Sequence, residues 1–157
     1  MIFEKGNLLD VESGILVHGC NCQGVWGSGV ASQMKEKYPE AFKRYVSDLK
    51  KNDSARMALG TISYHEVHPT LTVFSAFTQE FYGRDKNARY VSYDALDACF
   101  YYIISYARGM NQQIYLPDLI GAGLGGGNRE VILAIIEAQC KKMHFDSDNI
   151  TVLKHVK

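Results

Sequence analysis

Residues 15–31 read ILVHGCNCQGVWGSGVA, and this stretch decides the fold. Its first four residues, Ile15 to His18, form a short apolar run of the kind found in buried strands. From Gly29 to Lys37 the pattern becomes helical, and the residues between are rich in glycine. A strand that enters a glycine-rich turn and continues as a helix is typical of an α/β protein.

A second strand, turn and helix occur in the same order nearer the C-terminus. Residues 114–127 read IYLPDLIGAGLGGG, in which Ile114–Pro117 predicts a short central strand. Asn128 then caps a helix whose apolar residues recur at helical spacing, namely Val131, Ile132, Ile135 and Ile136. The sequence therefore predicts two glycine-rich loops, each between a strand and a helix.

Short apolar runs alternate with helical patterns along the rest of the chain. Proline at a first helical turn and serine at an N-cap mark two helix starts. The predicted helices run from Pro39 to Lys50 and from Ser92 to Gly109, and the predicted strands are Ile2–Lys5, Gly60–Val67, Leu71–Thr78 and Ile150–His155. This alternation predicts an α/β fold, a three-layer α/β/α sandwich with a mixed central sheet, in a single domain over residues 1–157.

Composition excludes several classes of function. The 157 residues include 17 basic and 17 acidic side chains and are 46% hydrophobic. Sequence-independent nucleic-acid binding needs an excess of Lys and Arg, so we expect no nucleic-acid partner. No apolar stretch reaches the roughly 20 residues that a bilayer requires, and residues 1–5 lack the pattern of a signal peptide. We therefore expect a cytoplasmic monomer without a membrane partner.

The four cysteines predict neither a disulfide framework nor a metal site. Cys20 and Cys22 are too close to form a useful bridge, and Cys99 and Cys140 lie in helical patterns. Their spacing matches no metal-ligand motif. We expect reduced thiols, no metal and no cofactor.

Both glycine-rich loops fit a phosphate-type ligand. Glycine lets backbone N–H groups approach an anion, and a helix start adds partial positive charge. The carboxyl ends of the two preceding strands are expected at one sheet edge, where α/β proteins bind ligands, so two loops indicate a diphosphate. There is no GxxxxGK[ST], and the first strand turn has no GxGxxG followed by an acidic residue roughly 20 positions on. The alternative is that glycine serves turn geometry alone.

The order of several short motifs resembles the macrodomain family over nearly the whole chain. The stretch HGCNCQGVWG at residues 18–27 is most similar to the branch of ADP-ribose 1''-phosphate phosphatases. The matching segments are Gly6-Asn7-Leu8-Leu9, Leu16 to Asn21, Trp26 to Ala31, Tyr38 to Phe42 and Leu116 to Gly125.

The resemblance implies a binding site for an ADP-ribose derivative, a small-molecule partner. It assigns adenine to Gly6-Asn7-Leu8, with Asn7 in place of the commoner aspartate, the distal ribose to Asn21, and the diphosphate to Gly27 through Ala31. The second phosphate loop is Gly121 through Gly125. The implied substrate-binding residues are Gly6, Asn7, Leu8, Gly19, Cys20, Asn21, Trp26, Gly27, Ser28, Gly29, Val30, Ala31, Ile120, Gly121, Ala122, Gly123, Leu124 and Gly125.

His18 is the candidate catalytic group, with Asn21 positioning the substrate. The resemblance implies this role, and His18 is also the only histidine beside a glycine-rich loop, with an ordinary pKa suited to proton transfer near neutrality. Three roles are open for His18: it attacks the phosphorus, it activates water, or it protonates the leaving ribose oxygen. The alternative is a strand-end histidine hydrogen-bonded in the wall. The other histidines, His65, His68, His144 and His155, are expected at the surface or at edges.

Several further residues bear on the reaction. Residues 81–84, Phe-Tyr-Gly-Arg, are candidates for the distal wall with Arg84 on a terminal phosphate, or form an exposed loop. Trp26 covers the pocket or packs under a helix. Asp118, Glu80 and Asp85 lie near loop ends without a diagnostic motif.

The related terminal ADP-ribose glycohydrolases use a lysine and an aspartate for catalysis. At the corresponding two positions this chain has Gln79 and Gly125. The predicted activity is therefore hydrolysis of ADP-ribose 1''-phosphate to ADP-ribose and phosphate. The alternatives are a non-catalytic ADP-ribose-binding module and a hydrolase that removes ADP-ribose from modified targets.

Overall fold

Six strands and four α-helices alternate along the chain in this computed structural model, which describes residues 1–156. Three short 3-10 helices lie between them. The strands are β1 (Ile2–Lys5), β2 (Gly14–Asn21), β3 (Ile62–His68), β4 (Leu71–Gln79), β5 (Ile114–Pro117) and β6 (Ile150–Lys154). The helices are α1 (Gly29–Lys37), α2 (Pro39–Lys50), α3 (Tyr93–Met110) and α4 (Arg129–Lys142).

The strands form one sheet in the order β1-β6-β5-β2-β4-β3. The pairs β1/β6, β5/β6, β2/β5 and β2/β4 are parallel, and β3 is antiparallel to β4. The sheet is therefore mixed, as expected. Because β2 and β5 are adjacent and parallel, the two glycine-rich loops leave the sheet side by side, at the edge where α/β proteins bind ligands.

Each face of the sheet carries its own hydrophobic cluster, which confirms the three-layer α/β/α architecture. Along β2, Ile15 and Val17 point to the cluster that contains the buried residues of α3 and α4. Leu16 points to the opposite cluster, with buried residues of α1 and α2 such as Met34 and Tyr45. A strand that is covered on both faces is apolar at successive positions, which explains the run in this part of the sequence.

The predicted elements all occur, and several boundaries differ. β2 extends beyond the predicted end at His18 to Asn21, because Gly19 and Cys20 pair with β4 and a register shift follows before Asn21. α3 continues through the predicted stop at Gly109, and Asn111 ends it with a left-handed φ of 51°. β6 ends at Lys154, one residue before the prediction, and β3 begins at Ile62 rather than Gly60.

No helix in residues 1–156 is both long enough and apolar enough to span a membrane.

Candidate functional site

A cavity of about 680 Å³ opens at the carboxyl ends of β2, β4 and β5. The two glycine-rich loops and the segment after β4 surround it. Its lining residues are Gly19, Cys20, Asn21, Val25, Trp26, Gly27, Ser28, Gly29, Val30, Ala31, Thr78, Gln79, Tyr82, Gly83, Arg84, Pro117, Leu119, Ile120, Gly121, Gly123, Leu124 and Gly125. We call this cavity the loop pocket.

The start of α1 faces the loop pocket with free backbone donors. Ser28 is the N-cap, and its side chain does not cap the helix. Within the part of the chain that the structure describes, the N–H groups of Gly29, Val30 and Ala31 donate no hydrogen bond. Gly29 has a φ of +61°, which favours glycine. Unpaired N–H groups at a helix start form an anion site by geometry and dipole together.

Asn21 and Tyr45 hold the first loop in shape. The Asn21 amide nitrogen donates to the Val25 carbonyl at 2.7 Å, and its Oδ1 accepts from the Gln23 N–H at 2.9 Å. The Tyr45 hydroxyl donates to the Asn21 carbonyl at 2.6 Å and accepts from the Gly24 N–H at 3.1 Å. Burial raises the pKa of Tyr45 above its ordinary value, so the hydroxyl stays protonated. Sequence reasoning missed Tyr45, since its role depends on the packing of α2 against this loop.

The second loop is packed upon itself and upon residues 88–91. The Gly125 carbonyl accepts from the N–H groups of Tyr90 and Val91 at 2.8 and 3.0 Å, and the Gly127 N–H donates to the Gly121 carbonyl at 2.8 Å. The loop pocket includes Gly121, Gly123, Leu124 and Gly125 but not the start of α4. Only one of the two helix starts therefore faces the ligand space, whereas the sequence indicated two.

His18 lies below the loop pocket and does not line it. The residue is 1% exposed, its Nε2 is 2.9 Å from the Ser75 hydroxyl oxygen, and its ring packs edge-on against Trp26 with the ring centroids 4.5 Å apart. Burial lowers the pKa of His18 from 6.5 to about 3, which leaves the side chain neutral at pH 7. This is the environment of the wall histidine that was the alternative for this residue.

Trp26 lines the pocket from below rather than covering it. The residue is 3% exposed, and its ring packs against His18, Phe42 and Tyr45. The Trp26 Nε1–H is buried without a partner in residues 1–156. The packed arrangement is therefore the one observed.

The cysteines are free and buried, and two of them lie beside this site. Burial raises the pKa of Cys20 well above its usual range and that of Cys22 to about 12. Thiols with raised pKa values are poor nucleophiles near neutral pH. Cys20 therefore contributes shape to the pocket floor.

The lining of the loop pocket carries little charge. Arg84 is its one side chain charged near neutral pH among the residues that the structure describes. The three carboxylates considered from the sequence lie outside it, and Asp118 is paired with Arg129 at 2.5 Å. No cluster of three His, Cys, Asp or Glu side chains in residues 1–156 is arranged to hold a metal ion. The site is suited to an anion held by backbone dipoles and one arginine.

Most, but not all, of the predicted contact residues line the loop pocket. Those outside it are His18, Gly6, Asn7, Leu8 and Ala122. Asn7 instead caps the 3-10 helix Leu8–Asp10, since its Oδ1 accepts from the Leu9 N–H at 3.0 Å. Val25, Thr78, Gln79, Tyr82, Gly83, Arg84, Pro117 and Leu119 were absent from the predicted binding set. Of these, the sequence indicates Tyr82, Gly83 and Arg84 as candidates for the distal wall, whereas no local signal identifies Thr78.

The Macro domain family model matches residues 17–136. ADP-ribose 1''-phosphate phosphatase of Saccharomyces cerevisiae strain YJM789 is 36% identical over 83 residues, which are 52% of this chain and 47% of that protein. The chain thus spans less than half of the phosphatases of this name that it matches, with coverages of 17% and 30% for the proteins from Ajellomyces capsulatus and Aspergillus clavatus.

Two solved structures show the same fold. A protein from Bacteroides thetaiotaomicron has a TM-score of 0.82 at 23% identity, and the match covers 98% of this chain and 99% of that one. Thermosipho africanus DarTG in complex with ADP-ribose has a TM-score of 0.73 at 16% identity, covering 95% of this chain and 40% of that one.

Proposed function

The chain belongs to the Macro domain family, and from that premise we propose that it binds ADP-ribose derivatives and hydrolyses the phosphomonoester of ADP-ribose 1''-phosphate. The observation that carries the proposal is the loop pocket, whose lining includes both the start of α1, with its free N–H groups, and the second glycine-rich loop. The names of the matched phosphatases and the ADP-ribose bound to one structural neighbour support it.

The diphosphate is assigned to the start of α1. Its backbone N–H groups at Gly29, Val30 and Ala31 are unpaired, and Gly27 and Gly29 leave the space beside them open. Donors fixed by the backbone need no reorganisation when an anion arrives, so they stabilise it effectively. The terminal phosphate is assigned to the end of the pocket where Arg84 supplies the charge.

The proposed reaction is attack of water on the terminal phosphorus, with departure of the ribose oxygen. Phosphoryl transfer depends chiefly on positioning and on stabilising charge at the equatorial oxygens. The first loop supplies the donors, and Asn21 keeps that loop in shape through the hydrogen bonds described above. Asn21 therefore acts as a positioning residue whose remaining N–H is free for the substrate.

The catalytic role of His18 stays a prediction. In this structure the imidazole is separated from the loop pocket and packs against Trp26, which does line it. Cys20, which also lines the pocket, lies within 3.7 Å of both ring nitrogens. Direct proton transfer by His18 requires this packing of Trp26 and Cys20 to open, whereas an indirect role requires only that His18 keep Trp26 in place. Predictions of a monomer and of a cytoplasmic location also stay untested.

A non-catalytic ADP-ribose-binding module is the second candidate. It is favoured by the lining of the pocket, in which the described residues include no histidine or carboxylate to act as acid or base. Removal of ADP-ribose from modified targets is the third candidate, and Gln79 and Gly125 stand where the related glycohydrolases use a lysine and an aspartate.

The discriminating experiment is phosphate release from ADP-ribose 1''-phosphate in the presence of a chelator, with His18→Ala measured in parallel. We expect steady release by the parent protein. If His18 acts directly, His18→Ala abolishes turnover and leaves ADP-ribose affinity nearly intact. If it acts through Trp26, turnover and affinity fall together.

Absence of release by the parent protein both with and without chelator, with ADP-ribose still bound in a calorimetric titration, would reject the phosphatase and support the binding module. Loss of release on adding chelator would contradict metal-free hydrolysis.

A further inference from the structure

The segment that follows β4 supplies the charge of the loop pocket, and we call the part of the lining that it forms, with Gln79, the charged end. Gln79, Tyr82 and Arg84 all line the pocket, and Arg84 carries the positive charge. A terminal phosphate is the most highly charged part of the proposed substrate, so it is drawn to this end. Gly83 lies against the Tyr90 side chain. The Tyr90 N–H donates to the carbonyl of Gly125, which adjoins Gln79. The reacting phosphorus is therefore expected near the end of β4.

Gln79 is fixed at this end by two elements of structure. Its Cα pairs with that of Asn21 across the last position of the β2/β4 ladder. Its amide nitrogen donates to the Phe81 carbonyl at 2.7 Å, which sets the orientation of the amide. The amide oxygen therefore faces away from Phe81, and it lies 3.2 Å from the point that a Cβ on Gly125 would occupy.

The Gln79 amide oxygen is an acceptor without a donor. Within residues 1–156 no N–H or O–H group donates to it, whereas the Oδ1 of Asn21 accepts from Gln23 and is also within 3.1 Å of the Tyr45 hydroxyl. Among the described residues, the lining also contains no carboxylate or imidazole that could orient a water molecule. Gln79 is thus an oriented acceptor at the charged end of the pocket, beside the glycine that leaves it room.

We propose that Gln79 is a catalytic residue that holds the attacking water through its amide oxygen. The inference rests on the proposed phosphatase activity. The water oxygen forms a bond to phosphorus as the bond from phosphorus to the ribose O1'' breaks, and that electron pair goes to O1''. One water proton passes by way of a non-bridging phosphoryl oxygen to O1'', so the products are ADP-ribose and inorganic phosphate. Gln79 accepts a hydrogen bond throughout and neither gains nor loses a proton.

The test is the steady-state kinetics of Gln79→Ala with ADP-ribose 1''-phosphate. We expect kcat to fall about 100-fold, with KM within about twofold of the parent, because the lost contact is to the water rather than to the substrate. Gln79→Glu retains an acceptor oxygen at the same length. It loses the N–H that donates to the Phe81 carbonyl and with it the orientation of the side chain. Its kcat is therefore expected to lie between those of the parent and Gln79→Ala, and its KM to rise because the new charge repels the phosphate.

Gln113→Ala is the matched control. Gln113 immediately precedes β5, at the end of that strand away from the loop pocket. Its side-chain amide also donates to a backbone carbonyl, that of Asp148 at 3.1 Å. Its variant is expected to keep the parent's kcat and KM.

Three outcomes decide between the explanations. A kcat of Gln79→Ala within twofold of an active parent would overturn the role of Gln79 alone. A loss expressed in KM alone would also overturn it and would mark Gln79 as a support for the Arg84 segment. An inactive parent would instead reject the phosphatase on which the inference rests.

Discussion

The two glycine-rich loops that border the pocket use glycine for different physical reasons. In the first loop a Cβ on Gly29 would have no atom within 4 Å, and one on Gly27 would meet only Val25, at 3.4 Å. In the second loop a Cβ on Gly126 would lie 2.3 Å from the Ala88 carbonyl oxygen, and one on Gly125 would lie 2.7 Å from that of Gly121. The first loop is open to a ligand, and the second is packed tightly against its own chain.

This difference shows that a run of glycines does not by itself identify a ligand contact. The open loop has glycines where a phosphate would approach, together with unpaired N–H groups at the start of α1. In the second loop most glycines lie in close contact with other backbone atoms, and the loop forms another part of the pocket wall. We therefore expect substitutions in the second loop to affect folding and those in the first to affect binding.

The largest expected effect is that of Gly126→Ala. Its φ of +74° and the 2.3 Å approach to a backbone oxygen leave no room for a methyl group. We expect a loss of about 3 kcal/mol or more in the free energy of unfolding, measured by urea denaturation. Gly27→Ala is the counterpart in the open loop and should change it by less than about 1 kcal/mol. Equal losses in the two variants would contradict the distinction between the loops.

The next effect concerns the layer on which the first loop rests. Burial lowers the pKa of His18 to about 3 from an ordinary 6.5, so below pH 6.5 the unfolded chain takes up a proton that the folded chain does not. This contribution to stability is fully present above pH 6.5 and is lost as the pH falls toward 3. At pH 4.5 the loss of stability relative to pH 7 amounts to roughly 2 to 3 kcal/mol.

The check is urea denaturation of the parent and of His18→Asn at pH 7 and at pH 4.5. The difference between the two pH values should be smaller in the variant by that amount. The same pH dependence in both proteins would show that His18 is not the group responsible.

A smaller effect is expected from Tyr45→Phe. The variant removes the donor to the Asn21 carbonyl and the acceptor for the Gly24 N–H without changing the packed ring. We expect a loss of about 1 to 2 kcal/mol in unfolding free energy and a weaker affinity for ADP-ribose. An unchanged affinity alongside lower stability would show that the first loop keeps its shape without this hydroxyl.

Much of the fold could be predicted from the sequence because local signals agree with the tertiary structure. Pro39 begins α2, and Ser92 and Asn128 accept hydrogen bonds at the starts of α3 and α4. The end of β2 could not be predicted, since Gly19 and Cys20 join the strand only through pairing with β4. Propensity alone favours a loop there, and the ladder overrides it.

The site was less predictable, because tertiary packing decides which side chains reach the pocket and which are buried beneath it. Both glycine-rich loops were predicted and both line the pocket, but proximity in sequence placed His18 at the surface of the site. Its side chain points into the layer beneath α1 and α2, where Trp26 covers it. In the sequence, Gln79 is distinguished only because the related glycohydrolases have a lysine at its position. The β2/β4 register brings it beside Asn21, which the sequence alone does not show.

The most direct test of the central claim is a calorimetric titration of ADP-ribose into the parent protein, Gly27→Ala and Gly109→Ala. Gly109 lies in α3 outside the loop pocket, and a Cβ there would also meet nothing within 4 Å, so it controls for the added methyl group. We predict binding by the parent, a dissociation constant raised at least tenfold in Gly27→Ala, and one within twofold of the parent in Gly109→Ala. Failure of the parent to bind, or equal affinity in all three proteins, would contradict the assignment of the first loop as the diphosphate site.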